Sequence, residues 1–176
     1  MQPAADSMVE TNKTFVPLNI CILTVSDTRS RSNDTSGQKL EDLLVESGHH
    51  LHDRKLVKDD IYHIRAVVSQ WIFDASAQVV LITGGTGFSG RDGTPEAVAP
   101  LFEREITGFG ELFRHISYGE IGTSTIQSRA IAGVANKTVI FCLPGSTGAC
   151  QTAWIKILQP QLDARHKPCN FVEQLL

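Results

Sequence analysis

The sequence lacks several features that would each define a class of protein. It has no apolar run long enough to span a bilayer, and no charged segment followed by the apolar stretch of a secretory leader. Its 176 residues carry a net charge of only −3, which argues against nucleic acid or a membrane surface as a partner. The four cysteines include no Cys-x-x-Cys pair, so we expect reduced thiols and a cytoplasmic protein.

Two common nucleotide-binding motifs are absent or mismatched. No Gly-x-x-x-x-Gly-Lys-Ser/Thr segment occurs, which argues against a Walker-type phosphate loop. Gly85-x-Gly87-x-x-Gly90 has the spacing of the dinucleotide fingerprint, but the third glycine of that motif belongs inside a helix. Here no helix can start before Thr94, and Asp92 would place negative charge beside a pyrophosphate unless a cation intervenes. The pattern therefore argues against a nicotinamide enzyme.

The sequence does contain apolar, β-branched runs that alternate with helical patterns. This alternation predicts an α/β protein with three layers, α/β/α, and a mostly parallel central sheet. Hydrophobic residues make up 41% of the chain and charged residues 20%, as is ordinary for a globular protein. We predict a single domain over residues 15–176, preceded by a flexible arm over residues 1–14. The predicted buried strands are Ile20–Val25, a run ending at Val57, Val79–Ile82 and Thr138–Leu143.

Capping patterns predict where two of the helices begin. Thr35-x-x-Gln38 fits a capping box and predicts a helix over residues 36–47. Ser124-x-x-Gln127 fits the same pattern and predicts a short helix that closes at Gly133.

The loop after the third strand is rich in glycine. Gly84, Gly85 and Gly87 allow a sharp turn and let backbone N–H groups approach a ligand closely. Thr94-Pro95 then combines an N-cap residue with proline at the first helical position. Such a loop beside a helix start can bind phosphate or carboxylate, or it can be a tight turn without a ligand.

The four predicted strands all end in polar or glycine-rich turns, which should meet at one edge of the sheet. This edge assembles backbone donors and several carboxylates, as a polyphosphate with a divalent cation requires. Arg91 and Arg129 could neutralise phosphate, or be a surface charge and a structural ion-pair partner. The turns are Ser26-Asp27, Lys58-Asp59-Asp60, Gly84–Gly87 and Pro144–Ser146, and the carboxylates of the second turn could equally be helix N-caps.

Three histidines occur within the four residues His49–His52. On a strand only His50 and His52 share a face, and no carboxylate or cysteine lies at the usual local ligand spacing. The segment is either a metal site or the solvated start of a strand.

The glycine loop and the segment after it resemble the molybdenum cofactor biosynthesis family, which includes the molybdopterin adenylyltransferases. The motifs are Thr83–Gly87 and Arg91-Asp92-x-Thr94-Pro95-Glu96. Further motifs, spread over residues 15–171, are similar to the protein B branch of this family. They are Val25–Asp27, Asp34–Gly37, Gly122–Thr125, Gln127–Ala130, Gly133–Lys137, Leu143–Thr147 and Pro160–Arg165.

The resemblance implies a fold, a reaction and a set of site residues. Members bind molybdopterin and ATP with Mg²⁺, and the terminal phosphate of the pterin attacks the α-phosphate. Asp92 matches a metal-binding and catalytic acid of the family, and Asp59 matches its helper. The resemblance places phosphate on the glycine loop and the substrate or nucleotide near the remaining positions. The full set of binding positions, with the glycine loop included, is Ser26, Asp27, Thr83, Gly84, Gly85, Thr86, Gly87, Arg91, Thr94, Ser124, Pro144, Gly145 and Ser146.

The chain departs from the adenylyltransferases at Pro144–Thr147, where they usually have Pro-Gly-x-Pro. Two other functions therefore stay open: a non-catalytic carrier or assembly protein of the same pathway, and a domain that cleaves a different pyrophosphate-containing nucleotide. The resemblance also implies a homotrimer or homohexamer, and a product that passes to the molybdenum-insertion protein.

Overall fold

The computed structural model describes residues 13–176. Most of the predicted N-terminal arm, residues 1–12, lies outside the described residues. None of the helices in the described part of the chain has both the length and the apolar content needed to cross a bilayer.

The strands and helices alternate through the first half of the chain, as the apolar runs predict. The strands are β1 Asn19–Val25, β2 His50–Val57, β3 Val79–Thr83, β4 Arg104–Glu105, β5 Ile131–Ala135 and β6 Thr138–Leu143. The helices are α1 Thr35–Glu46, α2 Ile61–Phe73, α3 Thr94–Val98, α4 Thr107–Ile121, α5 Thr147–Ala153, α6 Gln159–Gln161 and α7 Val172–Leu175. A 3₁₀ turn over Gly122–Gln127 follows α4, and a π-helical turn over Trp154–Leu158 joins α5 to α6.

The six strands form one mixed sheet in the order β2-β1-β3-β6-β5-β4. β2, β1, β3 and β6 are parallel, whereas β5 and β4 pair antiparallel at the far edge. All four predicted strands therefore run in the same direction. Their carboxyl ends meet at one edge of the sheet, where the polar turns were expected.

Helices cover both faces of the sheet, which confirms the three-layer α/β/α architecture. Alternate residues of β1 point to opposite faces, with Ile20 and Ile22 in one apolar cluster and Cys21 and Leu23 in the other. The first cluster includes residues of α1, α4 and α5, and the second includes residues of α2 and α3. The four cysteines are free thiols, and only Cys169 is exposed.

The predicted short helix that closes at Gly133 is wrong. Only the 3₁₀ turn forms, and Gly133 lies within β5, where a β-carbon would overlap the ring of Phe102. β5 joins β6 through Asn136 and Lys137, which both have positive φ, as a type I′ two-residue hairpin requires. Because Ala and Gly are weak strand formers, pairing with β6 decides this segment and its local pattern does not.

The cap of α1 also differs from the prediction. Asp34 is the N-cap residue, and its carboxylate accepts the backbone N–H of Gly37 at 2.9 Å. Thr35 is the first residue of the helix, so the predicted start is off by one position.

Candidate functional site

A cavity of about 630 Å³ lies at the carboxyl ends of β1, β3 and β6. Its walls are formed by the loops after β1, β3 and β6, by α4 with the 3₁₀ turn that follows it, and by the starts of α1 and α5. The predicted site residues that line it are Ser26, Thr83, Gly84, Gly85, Thr86, Gly87, Asp92, Ser124, Pro144, Gly145 and Ser146. Asp27, Asp59, Arg91 and Thr94 do not line it. The polar turns after β1, β3 and β6 therefore converge on one open space, whereas the turn after β2 contributes no residue to its lining.

The first two loop glycines are required by packing. Gly84 has φ +103° and Gly85 has φ +63°, a region that residues with side chains rarely adopt. A β-carbon on Gly84 would overlap the carbonyl oxygen of Val25 at the end of β1. A β-carbon on Gly85 would overlap the hydroxyl of Thr94 and lie 2.6 Å from the Asp59 carboxylate. Both glycines therefore seat the loop tightly between β1 and the start of α3.

The carbonyl groups of the glycine loop are bound by the protein. The hydroxyl of Thr94 donates to Gly84 O at 2.8 Å, and its backbone N–H donates to Gly85 O at 2.9 Å. Arg129 binds the next two carbonyls, those of Thr86 and Gly87, through its backbone N–H and its Nε. Thr94 is thus a positioning residue for the loop.

The N–H groups of the same loop are free. Within residues 13–176, the N–H groups of Gly85, Thr86 and Gly87 have no hydrogen-bond acceptor. With its carbonyls bound and three successive donors unpaired, the loop has the composition of an anion-binding backbone nest.

Arg129 holds the loop in place. Its Nε donates to Gly87 O at 2.8 Å, and its Nη2 donates to Asp92 O at 2.7 Å. It also pairs with Glu96, and its guanidinium lies 5.1 Å from the ring centroid of Phe88. Of the two interpretations that the sequence left open, these contacts support the structural one.

The Asp92 carboxylate lines the cavity beside Gly87. Its Oδ2 accepts the backbone N–H of Ser89 at 2.7 Å. Its Oδ1 has no hydrogen-bond donor among residues 13–176. The side chain is therefore fixed through one oxygen and offers the other to a ligand.

Asp59 contacts the same loop at Gly85 but lies outside the cavity lining. Its Oδ1 accepts the backbone N–H of Gly93 at 3.1 Å, just before α3 begins. Burial raises the pKa of Asp59 above its usual value, and the nearby carboxylates of Asp92 and Asp27 raise it further. The hydrogen bond from Gly93 and the charge of Arg91 lower this pKa but do not cancel the rise. A cation near these carboxylates would favour the ionised form.

Arg91 pairs with Asp27. Its Nε lies 2.8 Å from Asp27 Oδ2, and its Nη2 donates to Asp59 O at 3.1 Å. This exposed pair joins the turn after β1 to the loop after β3, and it leaves Arg91 occupied by protein groups.

The histidine segment has a structural explanation. His49 is buried, and its Nδ1 accepts the backbone N–H of Leu18 at 3.2 Å. His52 lies 2.8 Å from Asp74 at the end of α2. Residues 13–176 contain no group of three or more His, Cys, Asp or Glu side chains that could hold a metal ion by themselves.

Two charged residues of the cavity were not predicted from the sequence as site residues. Arg29 is the only lysine or arginine that lines the cavity within the described part of the chain, and Glu120 lines it from α4. Arg29 follows the same strand end as Ser26, so its position beyond β1 was an available signal. Glu120 gave no such signal, because α4 reaches the cavity only through the folding of the chain's second half.

Fold and site together define an α/β protein with a glycine-loop cavity at the carboxyl ends of the parallel strands of a mixed sheet. Residues 21–164 match the family model described as a probable molybdopterin binding domain. The molybdenum cofactor biosynthesis protein B of Escherichia coli (strain K12) is 58% identical over 164 residues, which are 93% of this chain and 96% of that protein. The protein of the same name from Bacillus subtilis (strain 168) is 44% identical over 142 residues, 80% of this chain and 84% of that one.

Solved structures agree. A crystal structure of a molybdenum cofactor biosynthesis protein B superposes with a TM-score of 0.82 at 45% identity, covering 85% of this chain and 94% of that one. The tungsten cofactor synthesizing protein MoaB from Pyrococcus furiosus superposes with a TM-score of 0.71 at 37% identity, covering 78% and 88%. The chain belongs to the molybdenum cofactor biosynthesis family with the molybdopterin-binding domain, as its motifs predicted. Its role is in molybdenum cofactor biosynthesis.

Proposed function

We propose that the chain transfers AMP from Mg-ATP to the terminal phosphate of molybdopterin, giving adenylylated molybdopterin and pyrophosphate. The observation that carries this proposal is the combination, in one cavity, of three unpaired loop N–H groups with the half-free carboxylate of Asp92. A carrier of the pterin alone would need the donors, whereas a nucleotidyltransferase needs both donors and a carboxylate for a cation.

The reaction asks for little covalent help from the protein. A phosphate oxygen of the pterin attacks the α-phosphorus of ATP, a new P–O bond forms, and the bond to the bridging oxygen of pyrophosphate breaks. The attacking phosphate is already anionic at neutral pH, so no general base is required. The protein contributes in-line positioning and charge neutralisation, which rigid backbone donors supply without reorganisation.

Each group at the site then has a role in the proposal. The N–H groups of residues 85–87 bind phosphate, and Arg129 and Thr94 keep the loop in the shape that exposes them. Ser26, Asp27 and Ser124 lie on the pterin side. Pro144, Gly145 and Ser146 border the pterin or the nucleotide.

Asp92, helped by Asp59, would hold Mg²⁺. Mg²⁺ is commonly bound by one or two carboxylates together with substrate phosphates, so the absence of a larger ligand cluster in residues 13–176 fits this mode. The free Oδ1 of Asp92 fits it as well. When bound, the ion would neutralise charge on the transferred phosphate.

One observation favours a second candidate, the non-catalytic pterin carrier. Asp59, Asp27 and Arg91 are engaged with one another and with the backbone, and none of them lines the cavity. If this arrangement persists with ligands bound, only one acid of the predicted pair reaches the substrates. The homotrimer or homohexamer and the transfer of product to the molybdenum-insertion protein stay predictions under either function.

The test is adenylate transfer by the purified protein. The parent chain is given molybdopterin and Mg-ATP, and pyrophosphate and adenylylated pterin are followed. We expect pterin-dependent turnover, and we expect Asp92→Asn to lower kcat by about 100-fold or more because charge neutralisation is lost. Asp42→Asn, an exposed carboxylate on α1 outside this cavity, is the matched control and should keep parental activity.

Two outcomes contradict the proposal. A parent that binds molybdopterin without making product, under conditions in which a known family enzyme works, is a carrier. Hydrolysis of a different pyrophosphate-containing nucleotide without ATP would identify the third function.

A further inference from the structure

The structure changes the assignment of positive charge at the site. The sequence offered Arg91 and Arg129 as partners for phosphate. Arg91 is engaged by Asp27 and the carbonyl of Asp59, and Arg129 by two loop carbonyls and Glu96. Arg29 is the one remaining candidate, because no other lysine or arginine of residues 13–176 lines the cavity.

Arg29 is held in position with part of its guanidinium free. Its Nη1 donates to Ser36 Oγ at 2.6 Å, and its backbone N–H donates to Ser26 Oγ at 3.2 Å. Within the described residues, its Nε and Nη2 have no acceptor. The side chain is 30% exposed, so these donors remain open to solvent in the cavity.

Arg29 forms an ion pair with Asp34 but makes no hydrogen bond to it. Asp34 Oδ1 lies 3.6 Å from Nη1, beyond hydrogen-bond distance. The Asp34 carboxylate is already satisfied by Thr24 Oγ1 at 2.7 Å, Arg54 Nη2 at 2.8 Å and Gly37 N at 2.9 Å. Arg29 therefore keeps two donors, Nε and Nη2, for a ligand.

We infer that Arg29 is a substrate-binding residue that binds a phosphate group in this cavity. A planar guanidinium with two adjacent free donors matches the geometry of phosphate oxygens. The inference rests on the proposed function, which supplies two sources of phosphate: the terminal phosphate of molybdopterin and the phosphates of ATP. Since the proposal puts Ser26 on the pterin side of the cavity, and Ser26 accepts the backbone N–H of Arg29, we expect Arg29 to bind the pterin phosphate.

The experiment compares the two ligands in separate binding titrations. Dissociation constants for molybdopterin, and for Mg-ATP, are measured with the parent chain and with Arg29→Ala and Arg29→Lys. We expect Arg29→Ala to weaken molybdopterin binding by about 10- to 100-fold, the usual range for a lost charged hydrogen bond, and Arg29→Lys to recover part of it. Arg31→Ala removes an exposed neighbouring arginine outside this cavity, and it should leave both constants within about 2-fold of the parent.

A pH series separates binding from a structural role. A phosphate monoester loses its second proton near pH 6, and an arginine that binds it favours the dianion. The parent should therefore bind molybdopterin more tightly as the pH rises through 6, and Arg29→Ala should lose most of this dependence. A merely structural arginine would lower the melting temperature without changing the pH dependence of binding.

The outcomes are decisive. A loss confined to molybdopterin assigns Arg29 to the acceptor phosphate, and a loss confined to Mg-ATP assigns it to the nucleotide. No selective loss with either ligand overturns the inference, as does a parent that binds neither. Because binding is measured without turnover, a parent that binds molybdopterin but transfers no AMP defeats only the proposed function.

Discussion

Two aspartate–arginine pairs connect the chain around β1, and they differ almost completely in their surroundings. Asp34 and Arg54 lie 2.8 Å apart with side chains 1% and 2% exposed. Asp27 and Arg91 lie at the same separation, 2.8 Å, with side chains 35% and 64% exposed. The two pairs have equal distances but unequal interaction free energies, because water screens the exposed pair and does not reach the buried one.

The buried pair belongs to the scaffold. Arg54, in β2, also binds Glu41 and Gln38 of α1, and Asp34 caps that helix. Burial acts to raise the pKa of Asp34, but its hydrogen bonds from Arg54, Thr24 and Gly37 outweigh it and hold the pKa below the usual value. The exposed pair instead bridges two site loops, where its partners can separate at small cost when a ligand binds.

The largest expected effect comes from breaking the buried pair. Arg54→Met keeps much of the side-chain volume but leaves a buried carboxylate without its cation, so we expect the free energy of unfolding to fall by about 3–5 kcal/mol. Urea denaturation at pH 7 measures it, with the exposed Arg31→Met as control. A loss below about 1 kcal/mol would show that Asp34 does not depend on Arg54.

The same variant has a predicted pH signature. In the parent, the lowered pKa of Asp34 contributes stability above the carboxylate's unfolded pKa, and this is lost as the pH falls through the folded pKa. Without Arg54, burial should raise the pKa of Asp34, so its protonation in acid relieves the penalty. The difference between parent and variant should therefore shrink towards pH 4.

A buried neutral group extends the comparison. Burial lowers the pKa of His49 from 6.5 to about 4, with His50 adding to the fall and Asp163 opposing it. As the pH falls, His49 therefore binds a proton near pH 6.5 in the unfolded chain but only near pH 4 in the folded chain. Stability present above pH 6.5 should be lost between these values, by roughly 3 kcal/mol.

His49→Gln tests this contribution, because glutamine can still accept the N–H of Leu18 but does not titrate between pH 4 and 6.5. The unfolding free energy of this variant should depend less on pH across that window than the parent's. His115→Gln, which removes an exposed histidine on α4, is the matched control. Equal slopes for the parent and His49→Gln would contradict the assignment.

The smallest effect is expected from the exposed pair. A double-mutant cycle with Asp27→Ala and Arg91→Ala should give a coupling free energy below about 1 kcal/mol, reduced further at high salt. Equilibrium unfolding at low and high salt measures it. A coupling free energy above about 2 kcal/mol would mean that the exposed pair is as strong as a buried one and that Asp27 prevents Arg91 from binding a ligand.

Much of the fold was predictable from local patterns. Continuous apolar runs predicted β1, β3 and β6, and the turns after them predicted the edge on which the cavity lies. β5 was missed because three of its five residues are alanine or glycine, which are depleted in strands, and its hydrogen bonds to β6 are made only after the chain has folded back.

The candidate site was predictable in part, for a similar reason. Topology brings the strand ends together, so Asp92, Ser146 and the glycine loop could be placed near one another from sequence. The sequence could not predict which arginine keeps free donors, because the partners of Arg29, Arg91 and Arg129 come from other elements of the fold.

The sequence by itself determined the family, the layers of the fold and the edge that carries the site, since these follow from periodicity, glycine spacing and motif order. Only the tertiary structure decided which charges are buried, which are paired and which face the cavity. A charge acquires its energy from the dielectric and the partners around it, and both are set by packing between segments far apart in the chain. Asp34 and Asp27 are seven positions apart in one loop, yet packing makes one the anchor of a helix and leaves the other exposed beside the site.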